Sequence, residues 1–317
     1  MFLLRHLRKG LRHMKRVTKL RKTFRRDWQL YVFMLIPLIW VIIFCYAPMF
    51  GAQIAFRKYQ PRLGIWDSPW VGFYQFKKFF NSYQFSRVMM NTVVTILCSF
   101  PLPIIFALVL NSTRSRKFRT VTQTIVTMPH FISVVVLVGI LLQIFNSRTG
   151  VYGTLMESIT GAYPEDLFSK PANFRHMYVW SGVWQQFGWN SIVYIAALAA
   201  VSPELHEAAQ IDGASRFQRM LHVDFPAILP TITIMLILRM GSVMTIGFEK
   251  VYLMQNSLNL TASEIISTYV YKVGLSSAGT TDLSYSTAIG LFNSAINLVL
   301  ISVTNFIARK LGGNGLW

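Results

Sequence analysis

The sequence predicts an all-α integral membrane protein with six transmembrane helices and with both termini in the cytoplasm. Hydrophobic residues make up 53% of the 317 residues and charged residues only 14%, against roughly 25% charged residues in a soluble domain. Six apolar runs are long enough to cross the hydrocarbon core of a bilayer, which takes about 20 residues. The basic residues gather in the segments that this topology would place inside the cell.

The six apolar runs define the predicted spans in chain order. The first run follows a long basic leader and no A-x-A site comes after it, so we interpret it as a retained anchor rather than a cleaved signal peptide. Pro101 and Pro103 in the second run and Pro129 in the third predict kinks, because proline has no amide hydrogen to donate. The runs lie at about residues 30–50, 88–110, 120–145, 177–200, 228–253 and 285–308.

Lysine and arginine predict the orientation of these spans. Nineteen of the 31 basic residues fall in segments that are cytoplasmic if the N-terminus is cytoplasmic, and eleven of these precede the first span. In a soluble protein the formal net charge of +19 would indicate a nucleic acid partner, but here the positive-inside rule explains it. We therefore divide the chain into a basic cytoplasmic segment (1–29), a six-helix domain (30–310) and a cytoplasmic tail (311–317).

The most informative segment, 207–230, lies between the fourth and fifth runs and contains EAAQIDGASRFQRMLHVDFPAILP. It is polar and charged although two apolar runs flank it. Ala208 and Ala209 would leave one helix face nearly bare, which lets a partner approach closely, and Glu207 would offer that partner a charge. We interpret the cytoplasmic loop 201–226 as a docking element. The alternative is an ordinary helix-turn-helix connection that packs on its own domain.

Local signals predict the structure of this loop. Ser202 is a good N-cap and Pro203 a good first helical residue, so a short helix should begin there and end near Ile211. Gly213 suits the left-handed position that often follows a helix end. Ser215 predicts the start of a second short helix, which should stop before the next proline.

The order of residues in this loop resembles the EAA loop of permease subunits in binding-protein-dependent ABC importers. The matching positions are Glu207, Ala208, Ala209, Gly213, Val223, Phe225 and Pro226, together with Pro203-Glu204-Leu205 and Asp212-Gly213-Ala214. Val223 and Phe225 stand where isoleucine and leucine are commoner, and both keep the apolar character. The resemblance covers all six spans from Trp28 onwards. Within the family, the chain most resembles permeases that import oligosaccharides or polysaccharides, including the first membrane subunit of alginate importers.

This resemblance implies a function and a set of partners. The fold would be that of type I ABC importer permeases, in a multi-pass protein of the bacterial inner membrane. The chain would pair with a second permease subunit and two cytoplasmic ATPase subunits. It would receive an oligo- or polysaccharide, acidic and alginate-like, from an external solute-binding protein. The short helix would sit in a cleft of the ATPase, and the implied coupling residues are Glu207, Ala208, Ala209, Asp212, Gly213, Ala214 and Pro226.

The chain itself carries no G-x-x-x-x-G-K-[ST] motif, which is the backbone cradle for ATP phosphates. ATP and Mg²⁺ would therefore be bound by the partner ATPase subunits, and this chain would be a transport subunit rather than an enzyme, without a cofactor of its own. No nucleophile–base pair and no metal-ligand spacing indicates catalysis. Two alternatives stay open, namely a secondary transporter, which usually shows internal repeats, and a membrane scaffold without ATPase coupling.

Polar residues inside the apolar runs are candidates for a substrate pathway, because such residues are costly in lipid. Arg239 lies roughly 20 Å of helix beyond the loop and is the strongest candidate, with Glu249 further along the same predicted helix. His130, Gln143 and Asn91 are weaker candidates. Amides beside aromatic rings suit sugars, but Arg239 could instead form an ion pair and the amides could bond other helices. The full candidate set is Arg239, Gln185, Gln186, Trp189, Asn190, Glu249, Asn293 and Asn297.

Overall fold

The structure, a computed structural model, describes residues 26–82, 85–86, 99–245, 247–275, 281–310 and 315–316. It divides into two compact units, Met1–Gln53 and Ile54–Trp317. Most of the predicted basic segment, the first half of the second predicted span with Asn91 and Cys98, Ile246, and most of the predicted tail lie outside the described residues. The regular structure of the described residues is helical, apart from two isolated β-bridges. The all-α prediction is confirmed.

The first unit contains the first predicted span. Helix α1 (Trp28–Val41) continues through a π-helical turn (Ile42–Tyr46) into a 3-10 segment (Ala47–Phe56), whose last residues belong to the second unit. Pro37 lies inside α1. The whole stretch, Trp28–Phe56, has 29 residues and is apolar enough to cross a membrane. The first predicted span is therefore confirmed as an apolar helix and extends further than expected.

The second unit contains the remaining helices, several of which are joined by short π or 3-10 turns. They are α2 (Tyr74–Phe80), α3 (Pro101–Asn111), α4 (Arg116–Thr127), α5 (Val134–Ile144), α6 (Val151–Thr160), α7 (Pro171–Ala199), α8 (Pro203–Ile211), α9 (Arg216–Arg219), α10 (Phe225–Met240), α11 (Phe248–Met254), α12 (Ile266–Leu275) and α13 (Leu283–Lys310). Short helical turns also occur at Gly64–Asp67 and Leu260–Ser263.

Three hydrophobic clusters hold the second unit together. One joins α2, α12 and α13 around Phe79 and Ile289. A second joins α3, α7 and α10 around Ile228, and a third joins α5, α7 and α11 around Val251. Because α7 contributes to the second and third clusters, it is the common wall against which the helices before and after it pack.

The third predicted span is a bent pair of helices rather than one rod. α4 continues through a 3-10 turn (Met128–Phe131), and α5 leaves that helix at an angle of 96°. The kink predicted at Pro129 is present as a break just after it, at Ile132 and Ser133. The Ser133 side chain caps α5 by accepting a backbone amide hydrogen bond of 3.3 Å. The Gln185 side chain on α7 donates to the Ile132 carbonyl at 2.8 Å, so a neighbouring helix satisfies a group that the break leaves free.

α7 is a 29-residue helix that begins before the predicted fourth span. At its C-terminal end the chain bends by 72° into α8. Gly188 marks the crossing of α7 with α4, because a Cβ atom at this position would lie 2.2 Å from the Val126 carbonyl oxygen. Small residues allow helix backbones to approach this closely in membranes. The third and fourth spans therefore pack almost backbone to backbone.

The prediction of one continuous helix over 228–253 is wrong. α10 ends at Met240, and a 3-10 turn (Val243–Thr245) and Gly247, which has a φ of 69°, separate it from α11. A left-handed residue cannot continue an α-helix, and glycine is the residue that adopts this conformation without steric cost. The two predicted pathway residues of this run therefore lie on different helices.

Tertiary contacts explain this break. The Asn297 side chain on α13 accepts a hydrogen bond of 3.1 Å from the Met244 amide, which the helix no longer satisfies. A Cβ atom on Gly247 would lie 1.9 Å from the Tyr178 hydroxyl oxygen of α7. The break is thus held by side chains that are far away in the sequence, and periodicity within the run could not reveal it.

The number of spans is only partly settled by helix length. In the described residues three helices are long and apolar enough to cross a membrane, or up to five if each bent pair is one span. α3, the described part of the second predicted span, is a shorter apolar helix. The six-span count and the cytoplasmic position of both termini stay predictions.

Candidate functional site

The loop that the sequence singles out contains a short capped helix, α8. The Ser202 hydroxyl accepts a hydrogen bond from the Glu204 amide at 3.3 Å, and the Glu204 carboxylate lies in the first turn, where the helix dipole favours acids. After the helix ends, Gly213 has a φ of 79°, and the Ala214 amide donates to the Ala209 carbonyl at 2.9 Å. The predicted bounds of this helix are confirmed.

The second short helix begins as predicted but does not stop where expected. Ser215 and Gln218 form a reciprocal capping box, with hydrogen bonds of 3.3 and 2.7 Å. The chain then passes through a π turn (Met220–Asp224) into α10, so that Arg216–Met240 is one long helix. The predicted stop before Pro226 is wrong, because the wider π turn precedes the proline and accommodates its missing amide hydrogen.

α8 presents an exposed and chemically mixed surface. The Ile211 side chain at its C-terminal end is 87% exposed and Leu205 is also exposed, while Glu207 and Ala208 lie on the open surface. Among the residues that the structure describes, no ion pair involves the Glu207 carboxylate. A surface cleft of about 270 Å³ beside α8 brings together four of the predicted coupling residues, namely Ala209, Asp212, Gly213 and Ala214.

A polar network that the sequence prediction missed ties α8 to the spans. The buried Asp224 side chain lies in the π turn before α10, and its Oδ1 atom is 3.2 Å from Nε2 of His206 on α8. The Asn111 side chain at the end of α3 donates to the same oxygen at 3.2 Å. One carboxylate therefore connects α8 with two predicted spans. The sequence signal that could have indicated this network is the acidic residue Asp224, which directly precedes the Phe-Pro pair.

A cavity of about 290 Å³ lies where α7 faces the break between α10 and α11. It brings together four of the predicted pathway residues, Arg239, Gln185, Gln186 and Asn190. Arg239 and Asn190 also line a smaller adjoining cavity of about 80 Å³. We refer to the 290 Å³ space as the central cavity. The sequence-based selection of span 4 amides and Arg239 thus identified residues that share one site.

Two of these amides have structural partners. Gln185 donates to the Ile132 carbonyl, as described above, and the Gln186 side-chain oxygen lies 3.0 Å from Nδ1 of His130. The His130 ring in turn stacks on Trp189 with centroids 4.1 Å apart. The predicted alternative of hydrogen bonds between helices therefore applies to both glutamines. Trp189 does not line the central cavity among the described residues.

Arg239 makes one long hydrogen bond with a described residue. Its Nη2 atom donates to the Ser99 hydroxyl at 3.5 Å, the outer limit of a hydrogen bond. The alternative of an ion pair is not realised with any described residue. The residues described around the central cavity include no aspartate or glutamate. Its guanidinium therefore faces a cavity in which no described residue supplies a counter-charge.

Lys250 is the functional candidate that sequence reasoning missed. It lies on α11, is only 7% exposed and lines the central cavity, whereas its neighbour Glu249 is exposed and does not. The Lys250 Nζ atom donates to the Tyr178 carbonyl at 3.1 Å and lies 5.1 Å from the centroid of the Tyr178 ring. The sequence analysis selected Glu249 from this run. The buried side of α11 carries Lys250 to the cavity and leaves Glu249 exposed.

Asn293 and Asn297 on α13 are both buried but do not line the central cavity. Asn297 holds the break through Met244, as described above. Oδ1 of Asn293 has no hydrogen-bond partner among the residues that the structure describes. The structure thus gives Asn297 a structural contact and separates both asparagines from the cavity that holds Arg239.

Comparison with known proteins identifies the relatives of this chain. Residues 99–313, more than half of the chain, match the family described as binding-protein-dependent transport system inner membrane component. Protein LplB of Bacillus subtilis (strain 168) is 44% identical over 297 residues, which cover 92% of each chain. The polygalacturonan/rhamnogalacturonan transport system permease protein YteP of the same organism is 38% identical over 292 residues, covering 91% of this chain and 90% of YteP.

A solved structure shares the fold as well as the sequence. It is the crystal structure of a bacterial alginate ABC transporter in complex with an alginate pentasaccharide-bound periplasmic protein. The matching chain is 36% identical, with a TM-score of 0.83, over 93% of this chain and 99% of that chain. The sequence identity and the similarity of fold both extend over nearly the whole length of the two chains.

Proposed function

The chain belongs to the family of binding-protein-dependent transport system inner membrane components, as a permease subunit of a sugar ABC importer with the type I fold, and from this we propose a specific role. It moves an acidic oligo- or polysaccharide from an external solute-binding protein to the cytoplasm. The energy comes from ATP that separate ATPase subunits hydrolyse. The family and the apolar helices make the chain an integral inner membrane protein and a transport subunit.

One observation carries the coupling part of the proposal. α8 is exposed on its outer side, yet it is tied on its inner side to α3 and α10 through Asp224. Such a helix suits a lever between an external partner and the spans. The partner is a cytoplasmic ATPase subunit whose cleft receives Glu207, Ala208 and the exposed Ile211 side chain. When that cleft opens or closes, α8 moves, and the network at Asp224 passes the movement to α10.

The proposed assembly follows the predicted topology. The chain crosses the membrane six times and keeps both termini, with the basic segment 1–29 and the tail 311–317, in the cytoplasm. It pairs with a second permease subunit and with two ATPase subunits, which bind ATP and Mg²⁺. The complex of the similar alginate transporter with a periplasmic protein supports a solute-binding protein as the external partner.

The acidic substrate rests on the central cavity and on the relatives. The name of YteP specifies polygalacturonan and rhamnogalacturonan, and alginate is an acidic polysaccharide. In the present chain Arg239 faces the cavity without a carboxylate partner among the described residues. An anionic sugar would supply the missing charge. Substitution at Arg239 therefore tests the substrate class directly.

Changing Arg239 to alanine should reduce uptake of an acidic oligosaccharide by about tenfold or more, because a hydrogen bond to a charged group contributes about 1.5–3 kcal/mol. Uptake of a neutral oligosaccharide of the same length should change much less. Both rates are measured in reconstituted vesicles that contain the complete transporter. If neither rate changes, the assignment of an acidic substrate to this cavity is wrong.

The assembly is tested by purifying the tagged chain from native membranes and identifying the subunits that accompany it. We expect a second permease, two copies of an ATPase subunit, and a solute-binding protein when saccharide and ATP are present. A secondary transporter or a scaffold would instead purify without an ATPase. Uptake by the chain in ATP-free vesicles under an ion gradient would favour the secondary transporter.

A further inference from the structure

We propose that Lys250 and Arg239 together form a carboxylate-binding site, and that Lys250 makes the permease prefer uronic-acid sugars over neutral sugars of the same shape. This inference rests on the proposed function, because it assigns the recognition of the saccharide to particular residues. It adds a residue from a second helix to the site. It also predicts that the preference resides in the permease as well as in the solute-binding protein.

The first argument is the charge of the central cavity. Two cationic side chains, Arg239 and Lys250, line the same space of about 290 Å³, and no acidic side chain lines it among the described residues. Ionisable groups at membrane depth are costly and usually pair with each other or mark a substrate pathway. Two cations to which no described residue of the cavity supplies a counter-charge can bind an anion that enters and leaves with transport. A carboxylate of the cargo is such an anion.

The second argument is the geometry around Lys250. An ammonium group has three donors, and the described residues satisfy one of them, through the Tyr178 carbonyl at 3.1 Å. The Tyr178 ring faces the charge at 5.1 Å and contributes a modest cation–π attraction. Gly182 leaves room for the ammonium, since a Cβ atom there would lie 3.2 Å from Nζ. No described residue accepts a hydrogen bond from the other two donors, which can bind a group in the cavity.

The third argument is the helix break. Arg239 is the penultimate residue of α10, and Lys250 is the third residue of α11. Gly247 lies between them in the left-handed conformation and packs against the Tyr178 hydroxyl. It separates α10 from α11. A continuous helix would present the two side chains on nearly the same face but about 16 Å apart along its axis, whereas the broken helix lines one cavity with both. Discontinuous helices at ion and substrate sites are a known device of transporters.

The fourth argument concerns the rest of the sugar. Asn190 lines both cavities, and its side chain makes no hydrogen bond with a described residue, so its amide can bond a sugar hydroxyl. The cavity is at the small end of the range of about 300–1,000 Å³ for ligand sites. It therefore accommodates a saccharide chain one unit at a time.

The test measures equilibrium binding to the purified complex of permeases and ATPase subunits, without the solute-binding protein. The probes are tri-galacturonate and its carboxyl-reduced, neutral counterpart. The wild-type complex should bind the acidic form more tightly. Lys250→Gln should weaken binding of tri-galacturonate by about tenfold to a hundredfold, the effect expected for one charge-assisted hydrogen bond, and should leave the neutral form unchanged. Lys250→Arg should keep the acidic preference.

Glu249→Gln serves as the matched control, because this neighbour is exposed and does not line the central cavity. It should not change the preference. Equal binding of both probes by the wild type, or an equal loss for both probes in Lys250→Gln, would overturn the inference and leave Lys250 a structural residue. Should Lys250→Gln fail to fold, Lys250→Met takes its place with the same expected and contradicting results, because methionine keeps an unbranched apolar stem of similar length and removes the charge.

The proposed function has a separate readout in the same preparation. ATP hydrolysis should rise when a saccharide-loaded solute-binding protein is added. If this stimulation is absent, the proposed function fails. If stimulation is present but Lys250→Gln binds tri-galacturonate as well as the wild type does, only the carboxylate site is wrong.

Discussion

Replacing Glu207 with arginine should abolish transport while leaving the permease folded. Glu207 lies on the exposed surface of α8, and no ion pair holds its carboxylate among the described residues. Reversing the charge of Glu207 therefore removes no packing contact from the core of the permease. In the proposed ATPase cleft the same change replaces an attraction by a repulsion, which costs about 2–5 kcal/mol at a buried interface pair. We expect uptake to fall more than tenfold and ATPase subunits to co-purify weakly.

The measurement compares ATP-driven uptake, binding-protein-stimulated ATP hydrolysis and the subunit ratio after purification. Glu165→Arg is the control, because it reverses an exposed carboxylate on another segment whose ion pair with Lys170 is also exposed. Exposed pairs of this kind contribute about 0–1 kcal/mol. Normal uptake and normal stimulated hydrolysis in Glu207→Arg would refute the role assigned to α8.

Replacing Gly188 with leucine should prevent the permease from folding into a stable helical unit. A Cβ atom at this position would lie 2.2 Å from the Val126 carbonyl oxygen and 2.8 Å from the Val126 side chain. The nearest obstacle is backbone, which cannot rotate away as a side chain can. α7 and α4 must therefore separate, and the contacts at their crossing are lost. Overpacking costs about 1–3 kcal/mol for added methylenes, and a forced separation of backbones should exceed that.

We expect a strongly reduced yield of monodisperse protein and a lower midpoint of thermal unfolding in detergent. Gly188→Ala should show the same effect in milder form. Gly139→Ala on α5 is the matched control, because a Cβ atom there meets nothing within 4 Å, and alanine is the better helix former. An unchanged unfolding midpoint in Gly188→Leu would show that the two helices do not cross as described.

The sequence predicted well whatever depends on neighbouring residues. The bounds of α8 were correct because its caps, Ser202 and Gly213, act within a few residues of the helix they terminate. The first span was recognisable because its length and apolar character are properties of one uninterrupted run. Arg239 and the span 4 amides stand out in the sequence because polar groups inside apolar runs are rare, and the structure places Arg239, Gln185, Gln186 and Asn190 on one cavity, while their role in a substrate pathway stays a prediction.

Two failures depend on distant contacts. The break after α10 is stabilised by Asn297 and by the position of Tyr178. Both residues lie outside the run 228–253, so the pattern within the run does not report these contacts. Similarly, the network at Asp224 requires His206 and Asn111 to meet in space, which no spacing along the chain reports. The choice of Glu249 over Lys250 has a local cause, because eleven residues are about three helical turns and a continuous helix would already have put Lys250 near the face of Arg239.

The uninterrupted helix Arg216–Met240 contains both Asp224, which is linked to α8, and Arg239 at the central cavity. One helix thus joins the position that is linked to α8 with the position at the cavity, and a π turn and Pro230 lie along it. If ATPase closure on α8 changes the affinity of the cavity for its cargo, thermodynamic linkage requires the cargo to change ATPase closure by the same factor. The change in cargo affinity and the change in the closure equilibrium would then be one coupling free energy, observed from opposite ends of the same helix.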